Sequence, residues 1–273
     1  MDFDEVIDRN EYPTLKWSKS MLIEHFGSED VLPLSVADMD IRASSVVIEA
    51  LLKRVQHGIF GYETKSDGYF EALINWYANR HRWAIDLTHI EACPSVLNAI
   101  AVLINQHSEE GDGIIIQPPV FFEFRLAIRN NGRRIVKNPL LLDNGKYRMD
   151  FADLEEKAAD PKNKMLIICN PHNPTGRVWT RAELARAGEI CRRHNVLVIS
   201  DEIHGDIVYG THRYTPFVSI SDELAQLSFA CLSPAKTFNI AGMTDAMAII
   251  PNEEYRQRFH DFADRLWMNK TNV

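Results

Sequence analysis

Lys236 lies in Ser233-Pro234-Ala235-Lys236-Thr237-Phe238-Asn239-Ile240-Ala241-Gly242, with no other charge from Pro234 to Thr244. It follows Leu227-Ser228-Phe229-Ala230-Cys231-Leu232, an apolar run that reads as a buried strand. Such surroundings desolvate a lysine and favour its neutral amine. Neutral amines attack carbonyls and form Schiff bases. The same pattern also admits a lysine that snorkels out of a strand end, so the local sequence leaves both readings open.

Two more polar motifs follow apolar runs. After Met165–Cys169 comes Asn170-Pro171-His172-Asn173-Pro174-Thr175-Gly176, whose prolines and glycine make a rigid loop. Asn173 can present its amide there as a donor, or serve a tight turn. After Val196–Ser200 comes Asp201-Glu202-Ile203-His204. A carboxylate at the end of a buried strand needs a partner. A protonated pyridine nitrogen would serve, as would a helix cap or a structural ion pair. Ser233 can hydrogen-bond a phosphate. An amine, an acid, an amide and a hydroxyl together match the aldehyde, ring nitrogen, phenolic oxygen and phosphate of pyridoxal phosphate.

The elements that must position these groups alternate. Helical spacing marks about 44–57 (Val47, Ala50, Leu51 and Val55 on one face), 68–82, 95–106, 122–130, 150–159 and 180–194. Asp150 is a cap, and Thr180 with Glu183 forms a capping box. Short apolar runs at 114–117, 134–136, 165–169, 196–200, 227–232 and 246–250 read as strands. Continuous apolar strands separated by helices imply an α/β fold with a mostly parallel sheet covered on both faces. Ligands of such sheets bind beyond the carboxyl ends of the strands, where all three motifs stand. His81 and Trp83 read as packing residues.

The 273 residues are 45% hydrophobic and 25% charged, as in ordinary globular chains. A net charge of −8 argues against a nucleic-acid surface. No apolar run reaches the roughly 20 residues that span a bilayer, and the acidic start lacks the pattern of a signal peptide. Cys93, Cys169, Cys191 and Cys231 have no metal-ligand spacing and read as reduced, structural cysteines of a cytoplasmic protein. No metal, membrane or nucleic-acid partner is expected.

In order and spacing, Asn170–Gly176, Asp201–His204 and Ser233–Asn239 resemble fold type I pyridoxal-phosphate enzymes of the class I/II aminotransferase superfamily. Ala37-Asp38-Met39-Asp40, His57-Gly58-Ile59-Phe60-Gly61-Tyr62, Asp201–His204 and Lys236–Gly242 resemble its cystathionine β-lyase branch more closely. The resemblance covers essentially the whole chain. It implies an aspartate aminotransferase-like α/β/α sandwich, with residues 1–45 as an arm and part of a small domain. Residues 46–273 would be the large cofactor-binding domain.

By the same resemblance Lys236 forms the Schiff base with pyridoxal phosphate. Asp201 pairs with the ring nitrogen, and Asn173 contacts the phenolic oxygen. Phe121 stacks on the ring where relatives often carry tyrosine. Backbone N–H groups of Ser95, Val96 and Leu97 hold the phosphate, with Ser95 replacing a common glycine and altering that turn. Ser233 adds a phosphate contact, and Tyr62 reaches the phosphate of a second subunit, which implies a homodimer. His204 stands where many aminotransferases carry tyrosine, as in the lyase branch. The family pattern continues past Val273 into a small domain with a substrate-clamping arginine, so a C-terminally truncated chain is expected.

The implied reaction is α,β-elimination on a sulfur amino acid, giving pyruvate, ammonia and a thiol. Amino-group transfer on the same scaffold is the alternative enzyme reading. An inactive truncated chain with an interaction or regulatory role is the non-enzymatic one.

Overall fold

The structure, a computed structural model, describes residues 3–12, 14–62 and 64–268. The chain divides into two compact units. Unit 1 comprises Met1–Gly61 with Pro234–Met243, and unit 2 comprises Tyr62–Ser233 with Thr244–Val273. The division falls after Gly61, beyond the 45/46 boundary expected from sequence, and it assigns the Lys236 stretch to unit 1.

Unit 1 holds α1 (Lys19–Phe26) and α2 (Ser45–His57), stopped by Gly27 and Gly58 in left-handed conformation, at φ 73° and 74°. The apolar face expected on α2 forms, but no side chain of that helix is buried. Leu51 and Val55 stay exposed.

Unit 2 opens with α3 (Asp67–His81), capped by the Ser66 side chain. There follow β1 (Ile90–Cys93), α4 (Val96–His107), β2 (Gly113–Ile116), α5 (Glu123–Asn130) and β3 (Arg134–Lys137). The hairpin β4 (Leu141–Asp143) and β5 (Lys146–Arg148) precedes α6 (Phe151–Ala158), β6 (Asn163–Cys169) and α7 (Arg181–Arg193). The unit ends with β7 (Leu197–Asp201), α8 (Asp222–Ala225), β8 (Ser228–Leu232), β9 (Ala246–Ile249) and α9 (Glu253–Arg265). Asp150 caps α6, and the Thr180–Glu183 capping box starts α7, as their sequences require.

Seven strands form one sheet in the order β1-β9-β8-β7-β6-β2-β3. Pairing is parallel from β8 through β3, while β9 runs antiparallel to both β8 and β1. Alternation along the strands sorts side chains onto two faces. Met165, Ile167, Cys169, Ile199, Phe229 and Cys231 join α4, α5 and α9 through Ile100, Phe124 and Phe259. Leu166, Ile168 and Val198 meet α6 and α7 on the other face, where Ala230 and Leu232 pack with Tyr77 and Trp83. Unit 2 is thus an α/β/α sandwich.

Candidate active site

The topology gathers the expected cofactor residues of unit 2 at one edge of the sheet. β6, β7 and β8 end together, because Asp201 pairs with both Cys169 and Cys231. β2 is parallel to β6, so Gln117–Phe121 emerge at the same edge. Two antiparallel steps, β8 to β9 and β9 to β1, leave β1 parallel to β8. The chain after Cys93, and with it the start of α4, therefore lies at that edge too. Ser95, Phe121, Asn173, Asp201 and Ser233 all follow or close strands there.

Asp201 is 4% exposed and shares the face of Ile199. Its Oδ1 accepts from Ile203 N at 3.1 Å, and its carbonyl accepts from Asn170 N at 2.9 Å. Asn170 is fully buried and donates through Nδ2 to Thr215 O, 2.9 Å. Phe121 N donates to the Asn173 backbone carbonyl at 3.0 Å, which joins the chain at the expected stacking residue to the loop that carries the expected amide. Ser95 caps α4 by accepting from Asn98 N at 3.1 Å. Its φ of −155° is ordinary extended backbone, so serine fits this turn without distortion. The Val96 and Leu97 N–H groups have no intrahelical acceptor. Ser233 Oγ donates to Asp245 O at 2.6 Å. His204 is half-buried in the turn after β7, its carbonyl accepting from Ile207 N. Tyr62, at the start of unit 2, is fully exposed.

Glu202 points to the opposite face from Asp201, and sequence reading gave it no role. It accepts from Ser200 Oγ (2.7 Å), Phe217 N (2.8 Å) and the Tyr214 hydroxyl. Burial pushes its carboxyl up to about 7, against the pull of those donors. The four cysteines are free and buried, and burial raises every thiol. They stay protonated at neutral pH and supply no thiolate nucleophile. Among the described residues no group of three His, Cys, Asp or Glu side chains could hold a metal, and no helix is long and apolar enough to cross a membrane.

Lys236 belongs to unit 1 and is half-buried there, not withdrawn from water as its neighbours in sequence suggested. Nζ donates to Ala37 O at 3.3 Å. Asn239, left-handed at φ 54°, clasps the same stretch. It accepts from Met39 N at 2.9 Å and donates to Ile41 O at 2.8 Å. From the other side, Arg9 binds Asp38 and Asp40, each at 2.7 Å. Lys16, 4% exposed, reaches Asp40 Oδ2 at 2.6 Å, and Trp17 Nε1 donates to Asp40 Oδ1 at 2.9 Å. Ala37-Asp38-Met39-Asp40 is thus a hub between the N-terminal arm and the lysine stretch. The motif stood out in sequence, and Lys16-Trp17 reads there as part of a packed arm, but Arg9 had no signal beyond its charge.

Residues 29–273 match the family model for aminotransferase class I and II. The chain belongs to that family. It is 44% identical over 259 residues to cystathionine beta-lyase PatB of Bacillus subtilis, covering 95% of this chain and 66% of that one. It is 37% identical to protein MalY of Escherichia coli, covering 94% and 65%. The chain therefore spans about two-thirds of the length of these relatives. Among solved structures, a pyridoxal-phosphate-bound putative aminotransferase from Clostridium difficile superposes with TM-score 0.95 at 40% identity, covering 100% of this chain and 70% of that one. Cystalysin from Treponema denticola, which contains pyridoxal 5'-phosphate, superposes with TM-score 0.92 at 36% identity, covering 97% and 67%.

Proposed function

We propose that this chain serves a pyridoxal-phosphate-dependent carbon–sulfur β-lyase, which eliminates a thiol from a sulfur amino acid of the cystathionine type. The observation that carries the reading is the buried Asp201 carboxylate at an edge where five strand ends converge. The likeness to PatB and cystalysin supports it.

The residues present fit the cofactor. A carboxylate as buried as Asp201 suits a protonated ring nitrogen. The open N–H groups at the head of α4 suit a phosphate, Phe121 suits a flat ring, and the Asn173 amide suits a phenolic oxygen. When bound, pyridoxal phosphate supplies an aldehyde that condenses with amines and a ring that delocalises electrons from Cα. Lys236 would be the chain's amine for that aldehyde, and its free amine would serve as general base for the Cα proton. Asp201 would hold a positive charge on the ring side of the site. Phe121 would exclude water from one ring face.

A homodimer completes the reading. Ile59, Phe60 and Tyr62 are exposed, as are Val46, Leu52 and Val55 on α2, and such apolar surface favours association. Tyr62 would reach the partner's phosphate site. Four buried, unpaired cysteines fit a reducing, cytoplasmic setting.

The test has two stages. Added pyridoxal phosphate should give a visible absorption band that Lys236→Ala abolishes. Cystathionine should then yield pyruvate, ammonia and homocysteine without a 2-oxo acid. Turnover that requires such an acceptor would establish amino-group transfer instead.

A further inference from the structure

The chain leaves unit 2 after Ser233 and rejoins it at Thr244, and Lys236 rides on the excursion between them. The β8–β9 ladder ends at Leu232↔Met247. Beyond it, Ser233 Oγ donates to Asp245 O at 2.6 Å and ties the two feet of the excursion together. The Asp245 side chain is itself held from two directions. Lys65 Nζ reaches Oδ1 at 2.6 Å. The Tyr69 hydroxyl, from the first turn of α3, donates to Oδ1 at 2.9 Å and Oδ2 at 3.0 Å. Lys65 Nζ also lies 4.0 Å from the centre of the Tyr69 ring. Burial and the nearby Asp245 charge drive the Tyr69 hydroxyl well above its ordinary pKa, so it remains a donor.

We propose that Lys65, Tyr69 and Asp245 are positioning residues for Lys236, fixing where its excursion leaves and rejoins unit 2. The inference rests on the reading of Lys236 as the cofactor-linking amine. An ion pair that served only the stability of α3 would hold no foot of the lysine stretch. This one converges on the residue whose carbonyl closes that stretch. Because the Ser233 proton is committed to Asp245, the same clamp also sets which way the Ser233 oxygen presents its lone pairs.

The experiment uses cofactor-free protein, so it is independent of whether the cofactor reading holds. Hydrogen exchange and reductive methylation are followed by peptide mass spectrometry in wild type, Tyr69→Phe, Lys65→Met and Lys65→Arg. Tyr69→Phe keeps the ring under Lys65 and removes only the hydroxyl. Loss of a hydrogen bond to a charged group predicts roughly tenfold faster exchange in 234–243. Exchange in β7 should be unchanged. Methylation of Lys236 should accelerate severalfold relative to the exposed Lys146, and Lys65→Arg should restore most of the wild-type behaviour. Unchanged exchange in 234–243 together with unchanged Lys236 methylation in folded Tyr69→Phe would overturn the proposal. Faster exchange spread equally over α3, β7 and 234–243 would overturn it too, since that is the signature of general destabilisation.

Discussion

In unit 2 the inner strands β2, β6, β7, β8 and β9 bury nearly every side chain, from Ile114 to Ile249. In unit 1, Leu22 and Pro33 are the buried apolar residues among those described, and the most buried charge is Lys16. Unit 2 is held by apolar burial. Unit 1 is held by a clasp of Arg9, Lys16, Trp17 and Asn239 on the 37–41 stretch. The contrast places the chemistry. A preformed core fixes Asp201 and the head of α4 to within the tolerance of packing. The lysine stretch belongs to the unit whose order depends on a few polar contacts. Under the proposed function, a group that links to a cofactor and later releases it would suit the less tightly packed region.

The largest effect that tests this contrast is a cavity. Phe229 is fully buried in the face carrying Asp201, stacked on His107. Phe229→Ala should cost about 3–5 kcal/mol, measured as a lowered urea midpoint. A loss below about 1 kcal/mol would mean that the sheet face is not the rigid part.

Next comes acid. His107 lies between Phe229 and Tyr255, and burial lowers its pKa to about 4. His172 behaves likewise. A base whose folded pKa is depressed contributes stability above its unfolded value near 6.5, and loses it as pH falls toward 4. For His107 the loss between pH 7 and pH 5 is about 2 kcal/mol. Glu202 has the opposite sign. Its folded pKa near 7 lies above the unfolded value, so its share of stability falls as pH rises from about 4.5 to 7. His107→Phe should therefore be less acid-sensitive than wild type over pH 7 to 5, and Glu202→Gln more so. Urea midpoints at the two pH values, compared pairwise, check both signs.

A smaller effect addresses the clasp. Burial would raise the Asp40 carboxyl, but hydrogen bonds from Lys16 and Trp17 and the charges of Lys16 and Arg9 together hold it below its usual range. Asp40→Ala leaves Lys16 buried beside Asp38, 3.7 Å away. The expected loss is about 1–2 kcal/mol, since Asp40 is partly exposed. It should appear as faster exchange in 37–41, with β7 unaffected. Equal loosening of β7 would show that the two units are not held independently.

The same contrast explains what could be read from sequence. Burial leaves a periodic signature, so six strands, α4 and the Thr180–Glu183 box of α7 were legible. The edge strand β3 was among them, but the other edge strand, β1, was not. β1 is only Ile90-Glu91-Ala92-Cys93 and is half-buried, and the antiparallel turn of β9 has no local signal. The β4–β5 hairpin was marked by Asn144-Gly145, both at positive φ, a turn signal that periodicity alone overlooks. α9 is strongly polar on one side and buries Phe259 and Ala263. At the candidate site, Asp201 and Asn173 announced themselves by following apolar runs, whereas Ser95 was reached only through the family resemblance. Asp245, Tyr69, Lys65, Arg9 and Lys16 act through contacts between residues far apart in sequence, which a single chain read in order does not display.

The smallest expected change in stability probes the exposed face of α2. Val55 is 61% exposed and sits in the last turn of that helix. Lysine has the better helix propensity, and a cation near a helix C-terminus is favourable, each by a few tenths of a kcal/mol. Val55→Lys should therefore leave the urea midpoint of the dilute protein unchanged, or raise it by less than about 0.5 kcal/mol. In the proposed homodimer the same substitution places a charge on an apolar surface, and burying an unpaired charge is strongly unfavourable. Self-association, followed by sedimentation velocity over a concentration series, should weaken even though the fold does not. If stability falls by more than about 2 kcal/mol, the α2 face is packed within the chain, and the contrast between the two units is wrong. If neither stability nor association changes, the face is simply solvated, and the dimer must use another surface.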